Sequence, residues 1–135
     1  MIPRLPQGVA IIELREIFDP RGDLIVGEAG REIPFVPRRV FFIHRVPTEQ
    51  SRGEHAHRAC HQLLICVQGQ VTVMVDDRTI SAEVRLDRPT LGLYVAPGIW
   101  AAQHHYTADA MLMVLASHDY DEGDYVRNYA EWRRL

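Results

Sequence analysis

Short apolar runs, separated by turn residues about every ten positions, dominate the sequence. Clusters of proline, glycine and aspartate, as at Asp19–Gly22 and Pro97-Gly98, predict turns between the runs. The pattern predicts extended strands over Val9–Leu14, Asp23–Glu28, Arg39–Val46, Leu63–Val67, Val71–Val75, Ile80–Leu86, Leu91–Val95, Ile99–His104 and Ala110–Ala116. Many short strands with turns between them are typical of a sandwich or barrel, so we expect an all-β fold.

Three further expectations concern single segments. Gln68-Gly69-Gln70 lies between two apolar runs and predicts a β-hairpin. Ala110–Ala116 has a composition that a helix would also accept, but its length and its setting favour a buried strand. The tail changes character, and Tyr125–Arg134 predicts a short amphipathic terminal helix.

Composition places the chain among ordinary globular proteins. Its 135 residues are 47% hydrophobic and 24% charged, which predicts one domain over residues 1–135. The net charge of −3 gives no reason to expect a nucleic-acid partner, and all 15 basic side chains are arginines. We find no signal-peptide pattern and no apolar run long enough to cross a membrane, so we expect a cytoplasmic protein without a membrane partner. Cys60 and Cys66 are then expected to be reduced thiols.

His55 and His57 are the centre of the candidate chemistry. Side chains at i and i+2 of a strand point to the same face, roughly 6–7 Å apart, so one strand can direct both imidazoles into one cavity. A metal-binding cupin has the same His-x-His order, followed by a glutamate and by a further histidine after a Pro-Gly turn. Here Gln62 stands at the glutamate position, and Ala101 and Ala102 stand where the last histidine belongs. We therefore expect no metal and no other cofactor.

Without a metal, the pair remains suited to proton transfer. The ordinary pKa of histidine lies near 6.5, so imidazole serves as a base and imidazolium as an acid near neutral pH. Such a pair fits the removal of a proton beside a carbonyl and its return to the neighbouring carbon. The alternative is a structural pair that only makes hydrogen bonds inside the barrel.

The sequence resembles the sugar 3,4-ketoisomerases that act on dTDP-4-keto-6-deoxyglucose, in the RmlC-like branch of the cupins. The resemblance runs through nearly the whole chain in the family's order. The matching stretches are RGDL (21–24), IPFVPRRVFFI (33–43), RGEHAH (52–57), QLLICVQG (62–69), LDRPTLGLYVAPGIW (86–100), VLAS (114–117) and DYVRNY (124–129). It implies a double-stranded β-helix, the cupin jelly roll, with a short C-terminal helix.

The resemblance also implies a reaction and a set of roles. The ketone moves from C4 to C3 without a metal, in deoxysugar biosynthesis, with His55 as the base and His57 assisting proton movement between the two oxygens. A dTDP-linked keto-sugar is the expected ligand, and the family implies a homodimer. The candidate substrate-binding residues are Arg21, Arg39, Arg52, Gln62, Tyr94 and Trp100. The tail residues Asp124, Tyr125 and Arg127 also match the family, although a helix-start role explains Asp124 equally well.

Two residues depart from the family pattern. Ala101 stands where a basic side chain commonly follows the tryptophan, and Pro20 precedes Arg21-Gly22. These positions leave the configuration of the product at C4 and the exact sugar open. Two other functions remain: a metal-dependent cupin enzyme that uses His55, His57 and a histidine of the pair His104-His105, or a non-catalytic module that binds a sugar nucleotide.

Overall fold

The chain folds mainly into antiparallel strands in a computed structural model, which describes residues 4–135. Alternating or continuously apolar segments form these strands because each buries one face against the opposite sheet. In chain order they are β1 (Val9–Glu13), β2 (Arg15–Ile17), β3 (Leu24–Val26), β4 (Arg39–His44), β5 (Arg52–His57), β6 (Gln62–Gln68), β7 (Val71–Asp76), β8 (Ser81–Leu86), β9 (Leu91–Val95), β10 (Trp100–His104), β11 (Met111–Ala116) and β12 (Tyr125–Val126). A 3₁₀ turn (Glu122–Asp124) precedes β12, and one helix, α1 (Tyr129–Arg133), follows it.

Ten of these strands form two five-stranded sheets. The first sheet has the order β1-β9-β6-β11-β4 and the second has the order β12-β5-β10-β7-β8, while β2 and β3 form a separate ribbon. The main core lies between the two sheets and includes the fully buried Leu93, Val73 and Leu112. The expected all-β jelly roll is therefore confirmed, and Ala110–Ala116 is a strand (β11) as predicted.

The predicted hairpin at Gly69 is wrong. β6 pairs with β9 and β11, whereas β7 pairs with β8 and β10, so the chain crosses from one sheet to the other at this point. Gly69 has φ +71°, and a Cβ there would lie 2.4 Å from Thr107 Oγ1 and 2.7 Å from Ala110 Cα. The apolar runs on both sides look like hairpin arms in sequence, but each has better partners elsewhere.

The predicted terminal helix is only partly right. Tyr125 and Val126 form the short strand β12, which pairs with β5 at the edge of the second sheet. The helix α1 begins after Asn128, whose side chain accepts a hydrogen bond from Glu131 N. Trp132 anchors the helix, since it is fully buried and its Nε1 donates to the carbonyl of Gly98 at 2.9 Å. The strand pairing places Tyr125 opposite His57.

Cys60 and Cys66 are both buried and form no disulfide with each other. Cys60 lies in the loop before β6, whereas Cys66 is in that strand. Within residues 4–135, no helix has the length and apolar character needed to cross a membrane.

Candidate active site

A cavity of about 310 Å³ opens between the two sheets at the histidine strand. Its size is in the range of small-molecule sites. β4, β5, β6, β10, β11 and the tail supply its wall, which combines aliphatic side chains with polar and basic ones. The lining residues are Phe41, Ile43, Arg52, Gly53, His55, Gln62, Leu64, Gln103, Val114, Tyr120, Tyr125 and Arg127.

A bulge in β5 shapes the wall beside His55. The pairing register between β5 and β10 shifts between Ala101 and Ala102, and Gly53 and Glu54 have φ values of +82° and +57°. A Cβ on Gly53 would lie 2.9 Å from Gln103 Nε2 and 3.1 Å from the carbonyl oxygen of Ala101. Bulges redirect side chains near functional sites, and this one turns the Gly53 carbonyl toward the His55 ring.

The Gly53 carbonyl determines which ring nitrogen of His55 is basic. His55 Nδ1 lies 3.0 Å from Gly53 O, and because a carbonyl only accepts, we assign the proton to Nδ1. Nε2 is then the free base. Burial, followed by the repulsion that a proton on the neighbouring His57 would exert, lowers the pKa of His55 to about 4. His55 is therefore neutral and basic at neutral pH.

His57 lies behind His55 and does not line the cavity. The two rings meet edge to face with centroids 4.8 Å apart, and His57 is 6% exposed. Its Nδ1 lies 2.8 Å from Asp124 Oδ2, and its buried Nε2 has no hydrogen-bond partner among residues 4–135. Burial lowers the pKa of His57 although the bond to Asp124 opposes this. We therefore assign a neutral His57 that donates from Nδ1 to the Asp124 carboxylate.

Asp124 holds His57 rather than starting a helix. It ends the 3₁₀ turn, and its second oxygen, Oδ1, accepts from the backbone N of Ala59 at 2.7 Å. Burial raises the pKa of Asp124, but the hydrogen bonds from His57 and Ala59 outweigh this effect and lower it overall. Asp124 is thus an ionised acceptor, while Asn128 caps α1.

Basic and aromatic side chains surround the histidines. Tyr125 contacts both rings, with centroids 4.8 Å from His55 and 4.5 Å from His57. Arg127 stacks on Tyr125 at 4.2 Å and pairs with an exposed glutamate, Glu122. Arg39 lies over the rings of Phe41 and Tyr120, and its buried Nε has no partner among the described residues.

Of the four predicted substrate-binding residues that do not line this cavity, Arg39 lies beside it and the other three lie away from it. Arg21 is exposed and pairs with Asp19 in the loop between β2 and β3. Tyr94 lies on the outer face of the first sheet, where its hydroxyl meets His61 Nδ1 at 2.6 Å. Trp100 lies on the outer face of the second sheet against Trp132 under α1. The two aromatic positions miss the cavity because alternate side chains of a strand face opposite ways.

The other predicted residues come together, and some lining residues were not predicted. His55, Arg52 and the buried Gln62 line the cavity, and Arg39 packs against its Phe41 and Tyr120. Gln103 was missed, although its position two residues after Ala101 places it on the same inward face. Tyr125 and Arg127 had only the tail motif as a signal, because their approach depends on β12 joining β5.

The residues present do not fit the cupin metal site. Gln62 is a neutral amide, and Ala101 stands opposite His55 with no ligand atom. His104 is at the far end of β10, where its Nε2 faces Glu83 Oε1 at 3.5 Å rather than the His55-His57 pair. The donor set that the metal-dependent alternative needs is therefore not assembled at this cavity.

Two packed antiparallel sheets around one histidine-lined cavity define a cupin jelly roll. Residues 7–135 match the family model described as "FdtA: WxcM-like, C-terminal". The chain belongs to this family, that of the sugar 3,4-ketoisomerases.

Individual relatives are similar over nearly their whole length. TDP-4-oxo-6-deoxy-alpha-D-glucose-3,4-oxoisomerase of Aneurinibacillus thermoaerophilus is 41% identical over 124 residues, which cover 92% of this chain and 89% of that protein. The crystal structure of the sugar 3,4-ketoisomerase QdtA of Thermoanaerobacterium thermosaccharolyticum with TDP superposes with a TM-score of 0.92, at 36% identity over 96% of this chain and 95% of that one. The TDP-quinovose 3,4-ketoisomerase WlaRB of Campylobacter jejuni also gives a TM-score of 0.92, at 36% identity over 96% and 100% of the two chains.

Proposed function

We propose that this protein is a nucleotide-sugar 3,4-ketoisomerase that moves the ketone of dTDP-4-keto-6-deoxyglucose from C4 to C3 in deoxysugar biosynthesis. The relatives named above support the substrate class and the reaction. The observation that carries the proposal for this chain is His55, a neutral imidazole on the cavity wall whose Nδ1 proton is held by the Gly53 carbonyl. That arrangement leaves Nε2 free to accept a proton from carbon.

The reaction needs no oxidant, because one carbon is oxidised as its neighbour is reduced. His55 Nε2 takes the proton from C3, the electron pair of that C–H bond forms the C3–C4 double bond, and the π pair of the C4 carbonyl moves onto its oxygen to give an enediolate. The hydroxyl proton moves from the C3 oxygen to the C4 oxygen, the C3 carbonyl forms as the double bond breaks, and protonated His55, whose proton exchanges with solvent, delivers a proton to C4. His57 supports this exchange from behind His55, where Asp124 fixes its proton on Nδ1.

The basic groups of the site fit a nucleoside diphosphate. Arg52 and Arg127 line the cavity, and the guanidinium of Arg39 lies beside it with a buried Nε that finds no partner within residues 4–135. Guanidinium groups make strong charge-assisted hydrogen bonds to phosphate oxygens. Gln62 is buried on the wall and offers both a donor and an acceptor to a sugar hydroxyl.

We also propose a homodimer, with its contact on the outer face of the first sheet. Val40 and Phe42 on the edge strand β4 are 52% and 51% exposed, and the strand pairing places them beside Leu115 and Met113 of β11. Exposed contiguous apolar surface of this kind marks protein contacts. We also propose the cytoplasm as the location, where the thiols of Cys60 and Cys66 would stay reduced.

The reaction is tested with dTDP-4-keto-6-deoxyglucose in D₂O, followed by NMR at C3 and C4. We expect a 3-keto product and exchange of the C3 proton, both abolished in His55→Asn, with thermal unfolding showing that the variant is folded. A folded wild-type protein that gives neither product nor exchange contradicts the proposal. If it then still binds dTDP in calorimetry, it is a sugar-nucleotide binding module.

A further inference from the structure

His57, Cys60 and Asp124 form a compact set of ligand atoms outside the cavity that His55 lines. We propose that these three side chains bind a thiophilic divalent cation, with Zn²⁺ as the ion that fits, and that its binding switches the enzyme off. They are the one set of three or more metal-ligating side chains that comes together within residues 4–135. The cupin metal position shares only His57 with this set, and its other ligands would come from the inner face of the barrel.

The geometry of the three ligand atoms suits a small four-coordinate ion. All lie within 4.8 Å of one another. Tetrahedral Zn²⁺ with bonds of about 2.0–2.3 Å needs its ligands about 3.3–3.8 Å apart. The pair His57 Nδ1 and Asp124 Oδ2, now 2.8 Å apart, must open slightly, and the longest separation, 4.8 Å at most, must close by about 1 Å. Thiolate and imidazole together select zinc over the hard cations that prefer oxygen ligands alone.

Burial and access both favour this position. The side chains of His57 and Asp124 are 6% and 11% exposed, and Cys60 is 2% exposed, so water competes little for the ion. A second cavity of about 510 Å³ reaches Asp124 from the side of Ala59 and Ser117, and Asp121 lies on its wall. Its wall carries aspartates together with Arg38 and His118, and it provides a path to Asp124 and room for a water molecule as the fourth ligand.

Metal binding changes the proton arrangement of His57. The ion binds the lone pair of Nδ1, so Nδ1 loses the proton that now makes the hydrogen bond to Asp124, and Nε2 carries the proton instead. The Cys60 thiol releases its proton to solvent. Asp124 then ligates the ion instead of orienting His57. The inhibitory part of the inference rests on the proposed function, whereas binding of the ion does not.

Cobalt and zinc titrations of the metal-free protein test the site directly. We expect Co²⁺ to give the thiolate-to-cobalt absorption band, and Zn²⁺ to abolish it by displacement. Cys60→Ser should remove the band and weaken Zn²⁺ binding in calorimetry by at least about tenfold. Cys66→Ser is the matched control, because that buried thiol belongs to the main core and should leave the band intact.

Activity provides the second measurement. Zn²⁺ should inhibit the wild-type enzyme, EDTA should restore turnover, and Cys60→Ser should keep its basal turnover while resisting inhibition. A protein without a cobalt-thiolate band, or one in which Zn²⁺ binds Cys60→Ser as tightly as wild type, overturns the inference. If binding occurs and no ketoisomerase activity exists, the site stands, but the proposed function and the inhibition that depends on it are both wrong.

Discussion

Asp124 Oδ2 lies 2.8 Å from His57 Nδ1 and so fixes the proton of a histidine that does not itself line the cavity. The contact joins strand β5 to the 3₁₀ turn of the tail, 67 residues later in the chain. Because the other Asp124 oxygen is bonded to the backbone N of Ala59, the carboxylate has little freedom to turn. Asp124 therefore holds the His57 ring in one orientation through Nδ1.

Asp124→Asn should therefore impair turnover more than substrate binding. The amide keeps the size of the side chain but removes the charge that favours one His57 tautomer, and we expect kcat to fall by about 10- to 100-fold with little change in KM. Steady-state kinetics measures the split. Asp119→Asn is the matched control, since Asp119 lies in the same tail segment as Asp124 but is an exposed carboxylate that pairs with Arg38. Equal kcat values for both variants would show that Asp124 does not position His57.

Gly53→Ala should damage both stability and the position of His55. The positive φ of Gly53 strains any other residue, and the new Cβ would meet the Ala101 carbonyl oxygen at 3.1 Å. We expect a loss of about 1–3 kcal/mol in the free energy of unfolding, together with a large loss of kcat, because the Gly53 carbonyl orients His55.

Gly30→Ala separates the two effects. Gly30 has the same φ of +82°, but nothing lies within 4 Å of its added Cβ. Chemical denaturation should show strain in both variants, and kinetics should show a loss only in Gly53→Ala. If Gly53→Ala retains wild-type kcat, the bulge does not orient the base.

The local pattern of apolar and polar residues predicted the strands well, because it reflects which face of a strand is buried, whichever strand it pairs with. It failed at Gly69, where two runs that suit a hairpin instead enter different sheets, since pairing is decided by contacts far along the chain. In the site, His55 and Gln62 follow from a strand motif. The Asp124–His57 contact does not, because it depends on the tail folding back onto β5. Tyr94 and Trp100 were wrongly placed in the cavity because successive side chains of a strand point to opposite faces, and these two point outward.

Phe42→Arg should weaken self-association. The charge would be placed in the middle of the exposed apolar surface of the first sheet, beside Met113, and burying it unpaired in a contact is costly. Sedimentation or light scattering should give the mass of two 15.5-kDa chains for wild type and of one for the variant. Leu135→Arg, also at an exposed apolar residue, is the control and should stay dimeric. A wild-type protein that is monomeric at high concentration rules out the proposed contact.

The pH dependence of kcat/KM should report the low pKa of His55. A base must be neutral to accept a proton, and the pKa of about 4 keeps His55 neutral far below the ordinary histidine value of 6.5. We expect kcat/KM, measured with EDTA present, to stay level as the pH falls through 6.5 and to decline toward pH 4. The unfolded chain binds a proton between these two values while the folded chain does not, so stability should also fall as the pH drops through this window. Circular dichroism at each pH separates loss of activity from loss of folded protein. If a fully folded enzyme loses activity with a midpoint near pH 6.5, a His55 with a pKa of about 4 is not the base.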